Sequence, residues 1–209
     1  MYAITVKISG VPLARGLRTP RPGTLVPRPS NHLAPHGLIS TARHYVGDLV
    51  YGANDGLVTT FAAVAGVEGG ALAPATVLIV GVANLAADGL SMGIGNYLAI
   101  RARESAREAD NLPEEESQPV RHGMATFLAF VVAGSVPLLP YAAAVQRSGR
   151  GWSSAALTLV TLFALGAARG LVTSRRWWRT GLEVLALGGL AGATAFGAGA
   201  AIARVLSTR

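Results

Sequence analysis

The sequence predicts an all-α integral membrane protein with five transmembrane helices, and three observations support this prediction. Its 209 residues are 51% hydrophobic and only 14% charged, whereas soluble domains carry about 25% charged residues. The apolar residues gather in five segments, each near or above the roughly 20 residues needed to cross a bilayer. Positive charges concentrate in alternate connections between these segments, which is typical of multi-pass membrane proteins.

The chain divides into a polar tail and a transmembrane domain. Residues 1–42 are rich in Pro and Arg, lack an amphipathic period and are predicted to be disordered. Two alternatives stay open for this tail: a tether to lipid headgroups or a partner, or residues upstream of the true start. Residues 43–209 form the five-helix domain, with a short acidic cytoplasmic linker at 101–121. We expect the spans at about 46–67, 74–100, 124–145, 153–173 and 181–206.

The distribution of basic residues predicts a cytoplasmic N-terminus. All but four of the 18 Lys and Arg residues then lie on the cytoplasmic side. The four exceptions are Arg147, Arg150, Arg204 and Arg209. No nucleic-acid partner is expected from the net charge of +7, because these charges flank spans and are not interleaved with aromatic residues. The tail lacks the apolar core of a signal peptide, and the Arg-, Ala- and Gly-rich composition favours a bacterial plasma membrane.

The first span carries two aspartates in an otherwise apolar segment. Asp48 and Asp55 are seven residues apart, about two helical turns, and therefore share one face, which Thr59 extends. A carboxylate at membrane depth is costly and marks a functional site by default. Asp55 lies about 10 Å further along the helix axis than Asp48, so we expect Asp55 to be deep and Asp48 to be nearer the cytoplasmic surface.

The second span carries a polar stripe. Asn84, Asp88, Met92 and Asn96 recur every four residues and so share one helical face. We expect this stripe to face the aspartates of span one. The carboxylate and amide oxygens would suit Mg, Ca or Mn, whereas the thioether of Met92 favours Fe(II) or another first-row ion. The sequence therefore predicts a divalent metal site, with a purely structural hydrogen-bond network as the alternative.

Small residues predict close helix contacts. Gly89 and Gly93 form a small-xxx-small pair in span two, which we expect to bring its polar stripe beside span one. The same spacing recurs at Gly188 and Gly192 in span five.

Four further charged residues have weaker patterns. Arg169 and Glu183 lie toward the cytoplasmic ends of spans four and five, where snorkelling, mutual pairing or a supporting polar role are all open. Glu104 and Glu108 begin the acidic linker, which is either a solvated continuation of the second helix or a surface that gathers cations.

Four sequence blocks resemble the vacuolar iron transporter family, which includes the yeast vacuolar iron/manganese transporter and plant nodulin-like proteins. The blocks are DGLVTTFAAVAGV, ANLAADGLSMGIGNYLAIRARES, TFLAFVVAGSVPLLPY and GLEVLALGGLAGATAFGAG. They occur in the family's order, and the resemblance covers about residues 43–206. It implies a five-helix protomer in a homodimer, with the ion path at the dimer interface. It also implies export of Fe²⁺ or Mn²⁺ from the cytoplasm in exchange for protons, without a permanently bound cofactor.

The resemblance also implies roles for individual residues. Asp55 corresponds to the family's metal ligand at mid-membrane, and Met92 corresponds to its thioether ligand. Asp48 corresponds to the second of the family's paired carboxylates in span one. We expect Asp48 to lie at the cytoplasmic entrance and Asp88 to support the site. Glu104 corresponds to the start of the family's cytoplasmic metal-binding helices, as does the nearby Glu108.

Three departures from the family pattern concern metal capture and selectivity. Iron transporters of this family usually insert a long, Glu- and Met-rich three-helix domain between spans two and three. Only about twenty residues stand there in this chain, without Met and without His before His122, as in short nodulin-like or bacterial members. Arg169 replaces a common lysine and keeps the charge, while Phe196 replaces a common tyrosine and removes a hydroxyl.

We therefore predict a proton-coupled transporter that exports Fe²⁺ or Mn²⁺, with lipid, a second copy, metal ions and protons as partners. Two alternatives stay open: a carrier for another cation or small solute, and a non-transporting membrane-organising protein. An enzyme is not expected, because the sequence has no nucleophile–base pair, phosphate loop or cofactor fingerprint. The absence of cysteine excludes disulfides, thiolate metal sites and cysteine catalysis.

Overall fold

The computed structural model describes residues 38–143, 149–173 and 175–208, with side chains from His44 onward. Within these ranges the chain is helical, without β-strands, as predicted. The helices are α1 (Leu38–Gly69), α2 (Pro74–Ala109), α3 (Pro119–Ser135), α4 (Leu139–Ala142), α5 (Arg150–Val172) and α6 (Trp177–Ser207). A 3₁₀ turn (Val136–Leu138) joins α3 to α4, and Pro137 and Pro140, which cannot continue a regular hydrogen-bond ladder, mark this break.

Four stretches of the described chain are long and apolar enough to cross a membrane, which makes the protein a multi-pass membrane protein. They are Pro74–Ala109, Pro119–Ala142, Arg150–Val172 and Trp177–Ser207. The helix α1, predicted as the first span, does not belong to this set. It is 32 residues long, but Asp48, Asn54 and Asp55 lower its hydropathy.

All five long helices begin before or end after their predicted spans, and α1 and α2 do so by the largest margins. The helix α1 begins at Leu38, inside the predicted 1–42 tail, while residues 1–37 lie outside the described residues. The helix α2 has 36 residues and continues to Ala109, so the first part of the predicted linker is helical. At 1.5 Å per residue α2 is about 54 Å long, well beyond the ~30 Å of a bilayer core.

The helix α1 occupies the centre of the bundle. It packs most extensively against α3 and α6 and also contacts α2 and α5. Two glycines allow its close approach to α3: a Cβ at Gly52 would collide with the carbonyl of Thr126, and one at Gly56 with the carbonyl of Phe130. The helices α1 and α3 therefore run parallel at close range.

The predicted close contact of α2 is made with α3 rather than with α1. A Cβ at Gly93 would lie 2.9 Å from the carbonyl oxygen of Gly123, and Gly89 packs against Phe127. The polar stripe of α2 lies beside this glycine stripe and still reaches α1, as its hydrogen bonds show below.

The glycine pair predicted in the last span also makes close contacts. Gly188 packs against Leu162 of α5, and Gly192 packs against Phe61 of α1. The prediction of tight packing there is confirmed.

Large apolar side chains cover the outside of the bundle. Ile79, Val82 and Leu98 on α2 are exposed, as are Leu187 and many others on α5 and α6. So much contiguous apolar surface is unusual on a water-soluble monomer but suits contact with lipid.

Candidate functional site

The polar faces predicted on α1 and α2 meet. Asn96 donates a hydrogen bond from Nδ2 to Oδ1 of Asp48 at 2.7 Å. Two turns further into the bundle, Asp55 interacts electrostatically with Asp88. Seven residues along α1 and eight along α2 each make about two turns, so the antiparallel helices keep their polar residues opposite one another.

Asp55 and Asp88 form the deeper level of this face. Asp55 is half-buried, whereas Asp88 is exposed in the single chain. In the part of the chain that the structure describes, neither carboxylate forms an ion pair. Thr59 donates its hydroxyl to the backbone oxygen of Asp55 at 2.9 Å, so that hydroxyl is committed to its own helix.

The two remaining members of the α2 stripe have different surroundings. Met92 is partly buried and packs against the hydrophobic cluster that contains Phe130 and Leu85, so its side chain also fills core space. Nδ2 of Asn84 is buried without a hydrogen-bond partner among the described residues. A buried donor without a partner is costly and uncommon in folded proteins.

Asp48 lies nearer the linker end of this face and contacts both α2 and α3. Its Oδ2 atom lies 2.5 Å from Nδ1 of His122 at the start of α3. Asn96 also donates to the hydroxyl of Thr126 at 2.8 Å, and that hydroxyl donates to the backbone oxygen of His122. Three helices are therefore joined through one carboxylate.

The linker between α2 and α3 folds back over this level. The carboxylate of Glu104 accepts hydrogen bonds from the backbone N–H groups of Glu115 and Glu116, the latter at 3.0 Å. Glu104 thus holds the linker in place, while Glu108 is exposed on α2. The side chain of Glu116 turns inward and meets His122 and His44.

Sequence reasoning did not single out His44 or His122, and it considered Glu116 only as part of the acidic linker. No spacing motif relates them, because they come from α1, the linker and α3. Their only signal was chemical: the four histidines of the chain include two that stand next to predicted membrane spans.

Another residue that the sequence analysis missed lies at the opposite end of the bundle. Glu68, in the last turn of α1, accepts a hydrogen bond from the hydroxyl of Tyr141 at 2.7 Å. Tyr141 is only 4% exposed, so it is a buried core residue of α4. Gly151 of α5 packs directly beside the Glu68 carboxylate.

Glu183 and Arg169 lie apart from this polar face. Glu183 is exposed and lines a basic cleft with Arg175, Arg176 and Arg179. Arg169 lines a groove of about 370 Å³ between α1, α5 and α6. No ion pair joins the two residues in the described structure. Phe196 is half exposed, and its backbone carbonyl lies against Gly69.

These features define a class: a multi-pass α-helical membrane protein with a carboxylate- and amide-lined face between two of its helices. A sequence model of the VIT family matches residues 46–117 and 106–200, which together cover most of the chain. The chain belongs to the VIT family. The two matched segments overlap at residues 106–117, in the end of α2 and the linker.

Curated relatives agree with this assignment. The chain is 28% identical to vacuolar iron transporter 1 of Arabidopsis thaliana, over 75% of this chain and 85% of that protein. It is 28% identical to vacuolar iron transporter 2 of rice, over 78% and 89%. It is 27% identical to the vacuolar iron transporter of Toxoplasma gondii, over 80% and 77%. The predicted resemblance is therefore confirmed, and the family consists of transporters rather than enzymes.

Proposed function

We propose that this protein carries divalent transition-metal ions, Fe²⁺ or Mn²⁺, out of the cytoplasm in exchange for protons. The meeting of the polar faces of α1 and α2 is the observation that carries the proposal: Asn96 donates to Asp48, and Asp55 and Asp88 follow two turns further along the same faces. Like charges at membrane depth are tolerated when a cation or protons neutralise them. The names of the curated relatives, all vacuolar iron transporters, favour a metal ion as the cargo.

The proposed path runs along the α1–α2 face. Asp48 and Asn96 stand at one level, and Asp55 and Asp88 stand about 10 Å deeper. Hard oxygen ligands at two levels allow an ion to shed water in steps. We propose that Met92, one turn from Asp88 on the same stripe, adds a thioether ligand, which favours Fe²⁺ over Mg²⁺ or Ca²⁺.

We propose α1 as the fifth transmembrane helix. It is about 48 Å long, lies at the centre of the other helices and buries Leu57, Phe61 and Val64 against them. A helix that lines an ion path is expected to be less hydrophobic than its neighbours, because its polar side chains do not face lipid.

We propose that the end with the linker faces the cytoplasm. The N-terminus of α1, the C-terminus of α2 and the N-terminus of α6 meet there, together with most of the described basic residues. These are Arg101, Arg103, Arg107, Arg121, Arg175, Arg176 and Arg179. This asymmetry follows the positive-inside rule and suits a bacterial plasma membrane.

We propose that two copies form the working unit. Asp88 is exposed on α2 of the single chain, and an uncovered carboxylate facing hydrocarbon would be costly. A second copy packed against this face would cover Asp88 and double the number of carboxylates around one axis. Protons arriving from the far side would then displace the metal by neutralising those carboxylates.

Reconstituted vesicles test the proposal. Wild-type protein should carry Mn²⁺, and Fe²⁺ kept reduced with ascorbate, faster under an opposing proton gradient. Asp55→Asn and Asp88→Asn should each lower the flux at least ten-fold, because they remove the charge and keep the shape. Thr194→Ala is the matched control, since that exposed hydroxyl bonds only within α6. Wild-type flux in Asp55→Asn would overturn the carboxylate path.

A second variant separates the main rival, a carrier for another cation. Met92→Leu conserves volume in the core but removes the sulfur. If the cargo is Fe²⁺, this variant should lose Fe²⁺ flux more strongly than Mn²⁺ flux. If Met92→Leu carries Fe²⁺ and Mn²⁺ at the same rates as wild type, the sulfur plays no part and the oxygen ligands alone set the selectivity.

A further inference from the structure

Three side chains from distant parts of the sequence converge where α1, α3 and the linker meet. Nε2 of His122 lies 2.9 Å from Oε2 of Glu116, and Nε2 of His44 lies 3.3 Å from the same oxygen. One ligating atom of each residue lies within 4.8 Å of those of the other two. The two imidazole rings are 5.0 Å apart between centroids.

We infer that His44, Glu116 and His122 form a binding site for a divalent first-row transition-metal ion, separate from the Asp55–Asp88 level. Two imidazoles and one carboxylate are a ligand set that suits Zn²⁺, Fe²⁺, Co²⁺ or Ni²⁺ better than Mg²⁺ or Ca²⁺. Ligand atoms about 2.1 Å from a tetrahedral ion are about 3.4 Å apart. The two N–O separations of 2.9 and 3.3 Å are close to this value, and all three ligand atoms lie within 4.8 Å of one another.

The imidazole of His122 is already oriented for this role. Its Nδ1 atom lies 2.5 Å from Oδ2 of Asp48. With Nδ1 donating its proton to Asp48, Nε2 can release the proton that it shares with Glu116 and bind a metal ion through its lone pair. The same carboxylate–histidine arrangement orients metal-binding histidines in many proteins and strengthens them as ligands.

The carboxylate of Glu116 is oriented as well. Its Oε1 atom accepts a hydrogen bond from the backbone N–H of Gln118 at 3.0 Å, which directs Oε2 toward the imidazoles. The backbone N–H of Glu116 is held in turn by Glu104. The linker thus holds one ligand at a fixed position over the ends of α1 and α3.

The site is shielded but lies near the surface. The side chains of His122 and Glu116 are 10% and 15% exposed, and that of His44 is 24% exposed. The Nε2 atoms of both histidines are buried, and the ring of Tyr45 packs against that of His122. An ion reaching this site would exchange most of its water for protein ligands and keep one position open, as at three-ligand sites.

The location suggests what the site does. Asp48 links His122 to Asn96 and hence to the start of the α1–α2 face. An ion held by the cluster would be one imidazole away from Asp48, so the cluster would load the path from the linker end. This loading role rests on the proposed transport function, whereas metal binding by the cluster does not.

Metal binding to the purified full-length protein in detergent tests the inference without transport. Zn²⁺ stoichiometry and affinity would be measured by equilibrium dialysis, and X-ray absorption of bound Co²⁺ would count imidazole ligands. Wild type should bind Zn²⁺ at a site with two imidazoles. His44→Gln, Glu116→Gln and His122→Gln should each weaken that site at least ten-fold, and Asp48→Asn by about 10- to 100-fold. Glu114→Gln, in the same acidic run, is the matched control and should bind as wild type.

Two outcomes would overturn the site. If Co²⁺ bound to wild type has no imidazole ligands, or if His44→Gln leaves affinity and stoichiometry unchanged, the cluster is an imidazole–carboxylate ion-pair group only. His44 is the most exposed of the three side chains, so its variant is expected to fold even if His122→Gln does not. Asp55→Asn should lose flux but keep this binding, which separates failure of the site from failure of the transport proposal.

Discussion

His122 and Asp48 are 74 residues apart in sequence, and Nδ1 of His122 lies 2.5 Å from Oδ2 of Asp48. The helices α1 and α3 run parallel with this same offset, which also sets Gly52 against Thr126 and Gly56 against Phe130. The polar contact between the two helices therefore depends on a close backbone approach that glycine permits.

Replacing these glycines should destabilise the bundle. Gly52→Ala and Gly56→Ala each place a methyl group against a backbone carbonyl of α3, and such overpacking costs about 1–3 kcal/mol. The free energy of unfolding would be measured by titration with SDS in mixed micelles. Gly47→Ala and Gly95→Ala are matched controls, because nothing lies within 4 Å of a Cβ at either position. These controls should be neutral or gain up to about 1 kcal/mol from helix propensity; losses equal to those of Gly52→Ala would contradict the close approach.

Asp48 and Asn96 should be energetically coupled. Their hydrogen bond is 2.7 Å long and joins α1 to α2. A double-mutant cycle with Asp48→Ala and Asn96→Ala should give an interaction energy of about 0.5–3 kcal/mol. Thr161 forms a hydrogen bond only within its own helix. The control cycle with Asp48→Ala and Thr161→Ala should therefore give an interaction energy near zero. If the effects of Asp48→Ala and Asn96→Ala on the free energy of unfolding simply add in the double variant, the contact is refuted.

Tyr141→Phe should weaken the far end of the bundle. The hydroxyl of Tyr141 donates to the carboxylate of Glu68 at 2.7 Å, and hydrogen bonds to charged groups contribute about 1.5–3 kcal/mol. Tyr51→Phe is the control, because Tyr51 is exposed. Thermal unfolding in detergent should show a lower midpoint for Tyr141→Phe alone, and equal midpoints for the two variants would exclude a stabilising bond.

The cysteine-free chain permits a direct test of the proposed dimer. Ser91 is exposed on α2, one turn from Asp88, whereas Leu187 is exposed on α6. If two copies meet over the α2 face, Ser91→Cys should form a disulfide-linked dimer in membranes under mild oxidation. Leu187→Cys should remain a monomer on non-reducing gels. Cross-linking through Leu187→Cys but not through Ser91→Cys would move the interface to another face.

The sequence by itself determined the helical membrane class, the approximate positions of the long helices, the polar faces of α1 and α2, and the family. These features are local, because apolar run length and a repeat every three to four residues are properties of one helix at a time. Asp48 and Asp55 were therefore recognisable as one face before any neighbour was known. Their facing stripe on α2 followed the same periodicity, and the hydrogen bond from Asn96 to Asp48 joins the two faces.

Only the tertiary structure decided which helix touches which, and at what offset. It assigned the glycine contact of α2 to α3 and paired Tyr141 with Glu68. It also brought the imidazoles of His44 and His122 to one carboxylate oxygen of Glu116. The offset between two helices is set by the packing of their surfaces, which no single segment encodes. A one-turn slip of α3 along α1 would move His122 by about 5 Å and separate it from Asp48.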